Sequence, residues 1–159
     1  MAASRPIEAV ETFVAAWLTR HGRTRDRLLP LLHALQEDFG YVGDDAVPVV
    51  AAGLNLTRAD VHGVVTFYHD FRRMPPGRRV VQFCRAESCQ SRGSAALEPL
   101  LARTLGVTMG ETRSDGVVTL EAVYCLGLCA IGPNAMIDGQ PRARLDEAAI
   151  ARLAQEIAA

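Results

Sequence analysis

The residues of this chain best suited to chemistry are its four cysteines, which fall into two tight pairs: Cys84-Arg-Ala-Glu-Ser-Cys89 and Cys125-Leu-Gly-Leu-Cys129. No thiol is left over, and 35 residues separate the pairs. Each pair opens at the end of an apolar, β-branched run: Val80-Val81-Gln82-Phe83 before Cys84, and Val118 to Tyr124 before Cys125. Two strands ending side by side would bring four thiolates to one sheet edge. That is a soft, all-sulfur site, suited to an iron–sulfur cluster or zinc. Disulfides need an oxidising compartment, and the stretch from Met1 to Val10 has no apolar leader. Zinc ribbons usually present C-x2-C knuckles, with C-x4-C at the loose end of the range. A thioredoxin-type redox pair needs C-x-x-C, a spacing found in neither pair. Iron–sulfur ligation therefore leads, and zinc and disulfides stay open as alternatives. Gly127, inside the second pair, and Gly132-Pro133 after it favour a loop whose backbone N–H groups point at sulfur.

The elements that must position these loops follow from the pattern around them. Met74-Pro75-Pro76-Gly77-Arg78-Arg79 breaks regular structure, so the chain divides into a helical domain, 1–75, and a second domain, 76–159. In the first, Ile7, Val10, Phe13, Val14, Trp17 and Leu18 share a face of a helix over 6–20, with Pro6 at its first position. A second helix spans 26–39, with Gly40 as its C-cap. A third runs from an Asp44 or Asp45 cap through Ala51 and ends near Gly53. A fourth opens on the capping box Thr57-Arg58-Ala59-Asp60, with Leu56 stapled onto Val61. The second domain reads as strand 79–84, helix 94–105, strand 117–124, strands 134–137 and 141–144 across the turn Asp138-Gly139, and a closing helix 147–157. The fold class is thus mixed α and β (α+β or α/β): an N-terminal helical bundle, then a β-α-β unit, a hairpin and a helix in thioredoxin-like order. Both cysteine loops lie at strand C-termini, where open α/β sheets place their chemistry.

Composition excludes several classes. The chain is 49% hydrophobic and 22% charged, a globular profile, and its formal net charge of −1 gives no basic field for nucleic acid. No apolar run reaches the length of a membrane span. No Walker loop, G-x-G-x-x-G or G-x-S-x-G is present. His21, His33, His62 and His69 lie far from the cysteines in sequence, as surface or core residues rather than ligands. The aromatic run from Val61 to Phe71 is either core or a partner-binding surface. What remains is an electron carrier with no substrate site of its own.

The order C-x4-C, 35 residues, C-x3-C, with Tyr124-Cys125-Leu126-Gly127-Leu128-Cys129 and Gly132-Pro133, resembles the thioredoxin-like [2Fe-2S] ferredoxins, among them the 24 kDa subunit of respiratory complex I. Gly40-Tyr41-Val42 and the stretch Val61 to Tyr68 are similar to that family's helical extension, so the resemblance covers nearly the whole chain. It implies a thioredoxin-like [2Fe-2S] domain whose cluster ligands are Cys84, Cys89, Cys125 and Cys129. It also implies one-electron exchange with a subunit that binds flavin (FMN) and NAD. Cys84 to Ser91, Phe67 to Arg72 and Tyr124 to Ala130 look most like the gamma subunit of soluble NAD-dependent formate dehydrogenases. In those enzymes a separate molybdenum or tungsten subunit performs the formate chemistry. The expectation is therefore a cytoplasmic electron-transfer subunit with no membrane insertion. The complex I subunit and its counterpart in NAD-linked hydrogenases are the nearest alternatives, and a zinc-stabilised interaction module is an alternative of another class. Arg85 and Arg92 are candidates to offset the cluster's negative charge.

Overall fold

Apolar residues at helical spacing build the first half. The structure, a computed structural model, describes residues 5–158; the leader-free reading of the N-terminus rests partly on Met1 to Ser4, which lie outside that range. α1 (Ile7–His21) buries Val10, Val14 and Leu18 and starts one residue later than the spacing predicts, with Pro6 as its N-cap. A 3-10 turn, Arg25–Arg27, leads into α2 (Leu28–Phe39), which ends on a left-handed Gly40. α3 (Ala46–Leu54) passes through Gly53 and stops at Asn55, which is left-handed. Asp45 precedes α3 but does not cap it through its side chain. Its carboxylate instead meets Arg5, 3.2 Å away. The Arg5 guanidinium lies over Phe39 and Tyr41, at 4.9 and 4.3 Å from their ring centroids, and donates to Tyr41 O at 2.8 Å. A cation on two aromatic faces offers the carboxylate more than the backbone does. α4 (Arg58–Phe67) completes this bundle, and its buried Val61 and Val65 join one apolar cluster with Leu31, Leu32, Leu35 and Phe71.

The capping box at the start of α4 is complete. Asp60 N–H donates to Thr57 Oγ1 at 3.1 Å, and Thr57 N–H donates to Asp60 Oδ2 at 3.1 Å. Thr57→Ala should lower the stability of the helical unit by about 1 kcal/mol, read by chemical denaturation followed by fluorescence of Trp17. The hydroxyl and then the N–H of Thr57, aided by Arg25, hold the Asp60 carboxyl below its usual range. A depressed carboxylate stabilises the fold above its unfolded pKa of about 4, and that contribution is lost as pH falls through the lower folded value. The deficit of Thr57→Ala should therefore shrink in strong acid; an equal deficit at every pH would contradict this account.

One compact unit ends at Pro75 and the other begins at Pro76. In the second unit, β1 (Arg79–Cys84) is central. It pairs in parallel with β2 (Val118–Val123), with Cys84 opposite Val123. On its other side it pairs antiparallel with β3 (Ala135–Ile137), which continues to β4 (Gln140–Arg142). The sheet order is β2-β1-β3-β4. β2 also meets Glu111 to Arg113 through an antiparallel bridge at Thr112–Thr119. Both turn residues of the β3–β4 hairpin are left-handed, Asp138 at φ 48° and Gly139 at φ 79°, as a type I′ turn requires. Val81 and Phe83, spaced by two, face a core shared with Val118, Leu120, Ala135 and Ile137. A single helical turn, α5 (Glu87–Gln90), follows β1. The longer helices α6 (Ser94–Leu105) and α7 (Glu147–Ala158) contribute Leu101, Leu105, Ile150, Leu153 and Ile157 to the core. On the opposite face Gln82 donates to Glu121 at 3.3 Å. No described helix is long and apolar enough to cross a membrane.

Candidate metal centre

Because β1 and β2 are parallel and in register to their ends, the chain leaves both strands at the same sheet edge. Cys84 is the last residue of β1, and the second loop begins just beyond Val123. Arg85 N–H donates across to Val123 O at 2.8 Å, and Cys84 N–H donates to Asn134 O at 3.0 Å. The first loop then folds into the four residues of α5, which carry Cys89 into the interior. Cys84 and Cys89 are each 1% exposed, whereas Cys129 is half-buried and Cys125 is exposed. All four are free thiols.

The second loop is shaped by two left-handed residues. Gly127 has φ 78°, which costs glycine nothing. Cys125 has φ 91°, which does cost a side-chain-bearing residue, and such strain gathers at functional sites. These conformations turn backbone N–H groups inward. Gly127 N–H donates to Cys125 Sγ at 3.4 Å. Cys129 begins a 3-10 turn to Ile131, with its sulfur 3.5 Å from that of Cys125. A cis bond joins Gly132 to Pro133. A Cβ on Gly132 would meet Cys89 Sγ at 3.2 Å and Arg92 Cδ at 3.3 Å, so the bare backbone leaves room for that sulfur.

The electrostatics join the two loops. Burial is the largest single influence on Cys84 and pushes its thiol up. The N–H groups of Ala86, Cys125 and Leu126, with the Cys89 thiol, outweigh it and bring Cys84 below the ordinary cysteine value. Two of those N–H groups belong to the second loop and one to the first. Cys89 is pushed up by burial and by Cys84 beside it, against the Asn134 backbone. Cys129 is pushed up by the neighbouring Cys125 and by burial, against the Ser88 hydroxyl.

The donor set fits a two-iron cluster. Cys125 contacts Cys129, and Cys84 contacts Cys89. A [2Fe-2S] cluster takes two protein thiolates on each iron. Thiolates ringed by N–H dipoles suit a site whose occupant is negatively charged.

Other residues singled out by sequence divide. Arg85 is engaged with Glu98, its Nε 3.0 Å from Oε2, so its charge is shared with a carboxylate. His21 stacks on Trp17 and His33 packs against Phe71. Phe71 is 4% exposed and belongs to the helical core, while Phe67 and Tyr68 are 72% and 41% exposed and meet edge to face. The aromatic run is thus core at one end and surface at the other. Sequence reading missed Ser88, which reaches Cys129, and Asn134, which is 1% exposed and touches both loops. The only signal for Asn134 was an amide between Pro133 and the apolar run Ala135-Met136-Ile137.

A family profile described as thioredoxin-like [2Fe-2S] ferredoxin matches residues 14–158. A subunit of the NADH-quinone oxidoreductase of Escherichia coli K12 is 38% identical over 122 residues, 77% of this chain and 74% of that protein. A like-named subunit of the Rhizobium meliloti NADH-quinone oxidoreductase is 34% identical over 146 residues, 92% of this chain and 87% of the other. An NAD+-reducing [NiFe]-hydrogenase, in its H2-reduced crystal structure, superposes with a TM-score of 0.73 at 28% identity over 86% of this chain. This chain spans only 23% of that hydrogenase chain.

Proposed function

This chain belongs to the thioredoxin-like [2Fe-2S] ferredoxin family, and from that premise we propose that it is a one-electron carrier. In this reading Cys84, Cys89, Cys125 and Cys129 hold a [2Fe-2S] cluster, and the carrier works beside a subunit that binds flavin and NAD. One observation carries the reading: β1 and β2 end side by side, so Cys84 and the loop of Cys125 and Cys129 leave the sheet at the same edge. When bound, such a cluster stores and returns one electron at a time. The chain's own residues do the rest. The buried Cys84 and Cys89 keep water from one side of the site. Ala86, Cys125 and Leu126 aim fixed dipoles at sulfur, which lowers the cost of added negative charge. Iron and acid-labile sulfide should each come to about two per chain; a colourless protein with stoichiometric zinc would overturn the assignment.

The finer reading places this subunit, as the gamma chain, in a cytoplasmic NAD-dependent formate dehydrogenase with a molybdenum or tungsten partner. It is supported by the loop residues Cys84 to Ser91 and Tyr124 to Ala130 and by the run Phe67 to Arg72. A second reading, the matching subunit of an NADH-quinone oxidoreductase, is favoured by the names of the bacterial relatives. The hydrogenase likeness supports a third setting with the same partner chemistry. Purifying the native assembly through a tag on this chain decides among them. Formate-dependent NAD reduction selects the first, NADH oxidation with quinone the second, and hydrogen-dependent NAD reduction the third.

The exposed Phe67 and Tyr68, at the surface end of the Val61 to Phe71 run, offer an aromatic surface to dock the flavin subunit. Phe67→Ala and Tyr68→Ala should each weaken co-purification with it, by about 2 kcal/mol in binding, and leave the visible spectrum unchanged. Undiminished co-purification of the double variant would remove this surface from the interface.

A further inference from the structure

Asn134 is held where it can act on the site, and the inference drawn from it rests on the reading that the four cysteines carry a [2Fe-2S] cluster. Its side chain is almost fully buried, at 1% exposed for the residue. Its backbone carbonyl accepts from Cys84 N–H at 3.0 Å, which fixes the residue at the end of β1. Its side-chain Nδ2 donates to Leu128 O in the second loop at 2.8 Å and faces Cys89 Sγ in the first at 3.6 Å. The contact with Leu128 sets the orientation of the amide. Turned over, it would bring two carbonyl oxygens together at that distance, so the N–H edge faces both the carbonyl and the sulfur.

The other end of the same amide is unsatisfied. Among the described residues Asn134 Oδ1 has no hydrogen-bond partner although it is buried. A buried acceptor without a donor is unfavourable, and an apolar side chain of similar size would avoid it. The bond to Leu128 O accounts for one N–H of the amide, and the second N–H is the one that faces sulfur. The amide makes chemical sense if the N–H aimed at sulfur is what the position supplies.

We propose that Asn134 is a positioning residue that donates an N–H to the Cys89 thiolate and thereby makes the cluster easier to reduce. The added electron raises the negative charge on the sulfurs. A donor fixed in dry surroundings stabilises that extra charge more than it stabilises the oxidised state. The bare backbone of Gly132 leaves space at the same sulfur, where a Cβ would come within 3.2 Å.

The test uses the full chain with its cluster assembled, comparing wild type with Asn134→Leu and Asn134→Asp. Three quantities are read: iron and sulfide content, the thermal unfolding midpoint, and the reduction midpoint from an EPR-monitored titration. Asn134→Leu should keep its iron and sulfide and shift the reduction midpoint to more negative potential. Asn134→Asp, the same shape with a carboxylate facing sulfur, should shift it further in the same direction. An unshifted midpoint in a fully loaded Leu variant overturns the proposal. So does an Asp variant no more negative than wild type. If the Leu variant does not load, the Asp variant decides. Loss of the cluster from both makes Asn134 a structural residue, which also overturns it. A wild-type chain that binds no iron and sulfide would instead strike the cluster reading itself.

Discussion

Replacing any one of Cys84, Cys89, Cys125 or Cys129 with serine is expected to abolish most cluster binding. The same change should destabilise the 76–159 unit while sparing the helical one. Serine presents a hard, protonated oxygen where the site needs a soft thiolate, and a two-iron centre with one ligand missing exposes an iron to solvent. The loops have little apolar surface of their own: α5 is four residues long, and the second loop is mostly exposed or half-buried. Ligation therefore contributes to their folding. Cys84→Ser and Cys89→Ser should be the more damaging pair, because each also leaves a hydroxyl in a site 1% exposed. Two optical probes separate the effects. Visible absorption follows the cluster, and fluorescence of Trp17, the chain's one tryptophan, follows α1 in the helical unit. Full iron and sulfide with an unchanged EPR signal in Cys129→Ser would show that another residue is the ligand.

Phe83→Ala should be nearly as damaging without touching a ligand. Phe83 is fully buried and lies on the central strand, opposite Ala122 of β2 and Ala135 of β3, one residue before Cys84. Its small cross-strand partners cannot fill the space that truncation leaves. A Phe→Ala change in such a core costs about 3–5 kcal/mol. For a unit of this size that corresponds to a fall in unfolding temperature of roughly 15–30 °C. Because β1 delivers Cys84 to the sheet edge, cluster bleaching should fall in step with unfolding of this unit. The Trp17 transition should stay where it is. A Phe83→Ala protein that bleaches at the wild-type temperature would mean that the sheet does not position the site.

Much of this was legible in the sequence, for identifiable reasons. An apolar, β-branched run marked β1, and the Asp138-Gly139 pair marked the hairpin, because few residues satisfy two left-handed positions in a row. Helical spacing with glycine stops located α1, α2 and α6 to within a residue or two. The errors arose where tertiary contacts outweigh local preference. Asp45 lies before α3 as a capping residue should, yet Arg5, distant in sequence, takes its carboxylate. Gly53 invited a helix end, but Asn55 could take the left-handed position two residues later. Phe71 sits beside two exposed aromatics, and only its place in the buried cluster of the bundle, with His33 packed against it, makes it core. The cysteines were visible as a set. The N–H groups that surround them were not, since backbone donors carry no side-chain signature. Asn134 was equally hidden, because its role depends on the second loop reaching back across the end of β3.

The margins of the sheet carry a consequence of their own, in how the protein behaves among copies of itself. An unpaired strand edge is a template for another chain to add to, and long flat edges seed aggregation. Here one margin is β4, three residues long, with Pro141 in its middle and Arg142 at its end. Proline has no N–H to offer an incoming strand. At the other margin the segment from Gly110 to Arg113 occupies β2, with Gly110 N–H donating to Leu120 O at 2.7 Å and Arg113 N–H to Val118 O at 2.8 Å. Neither side offers a newcomer a long row of open hydrogen bonds. Blunted on both borders, the sheet gives a second copy of the chain little to extend.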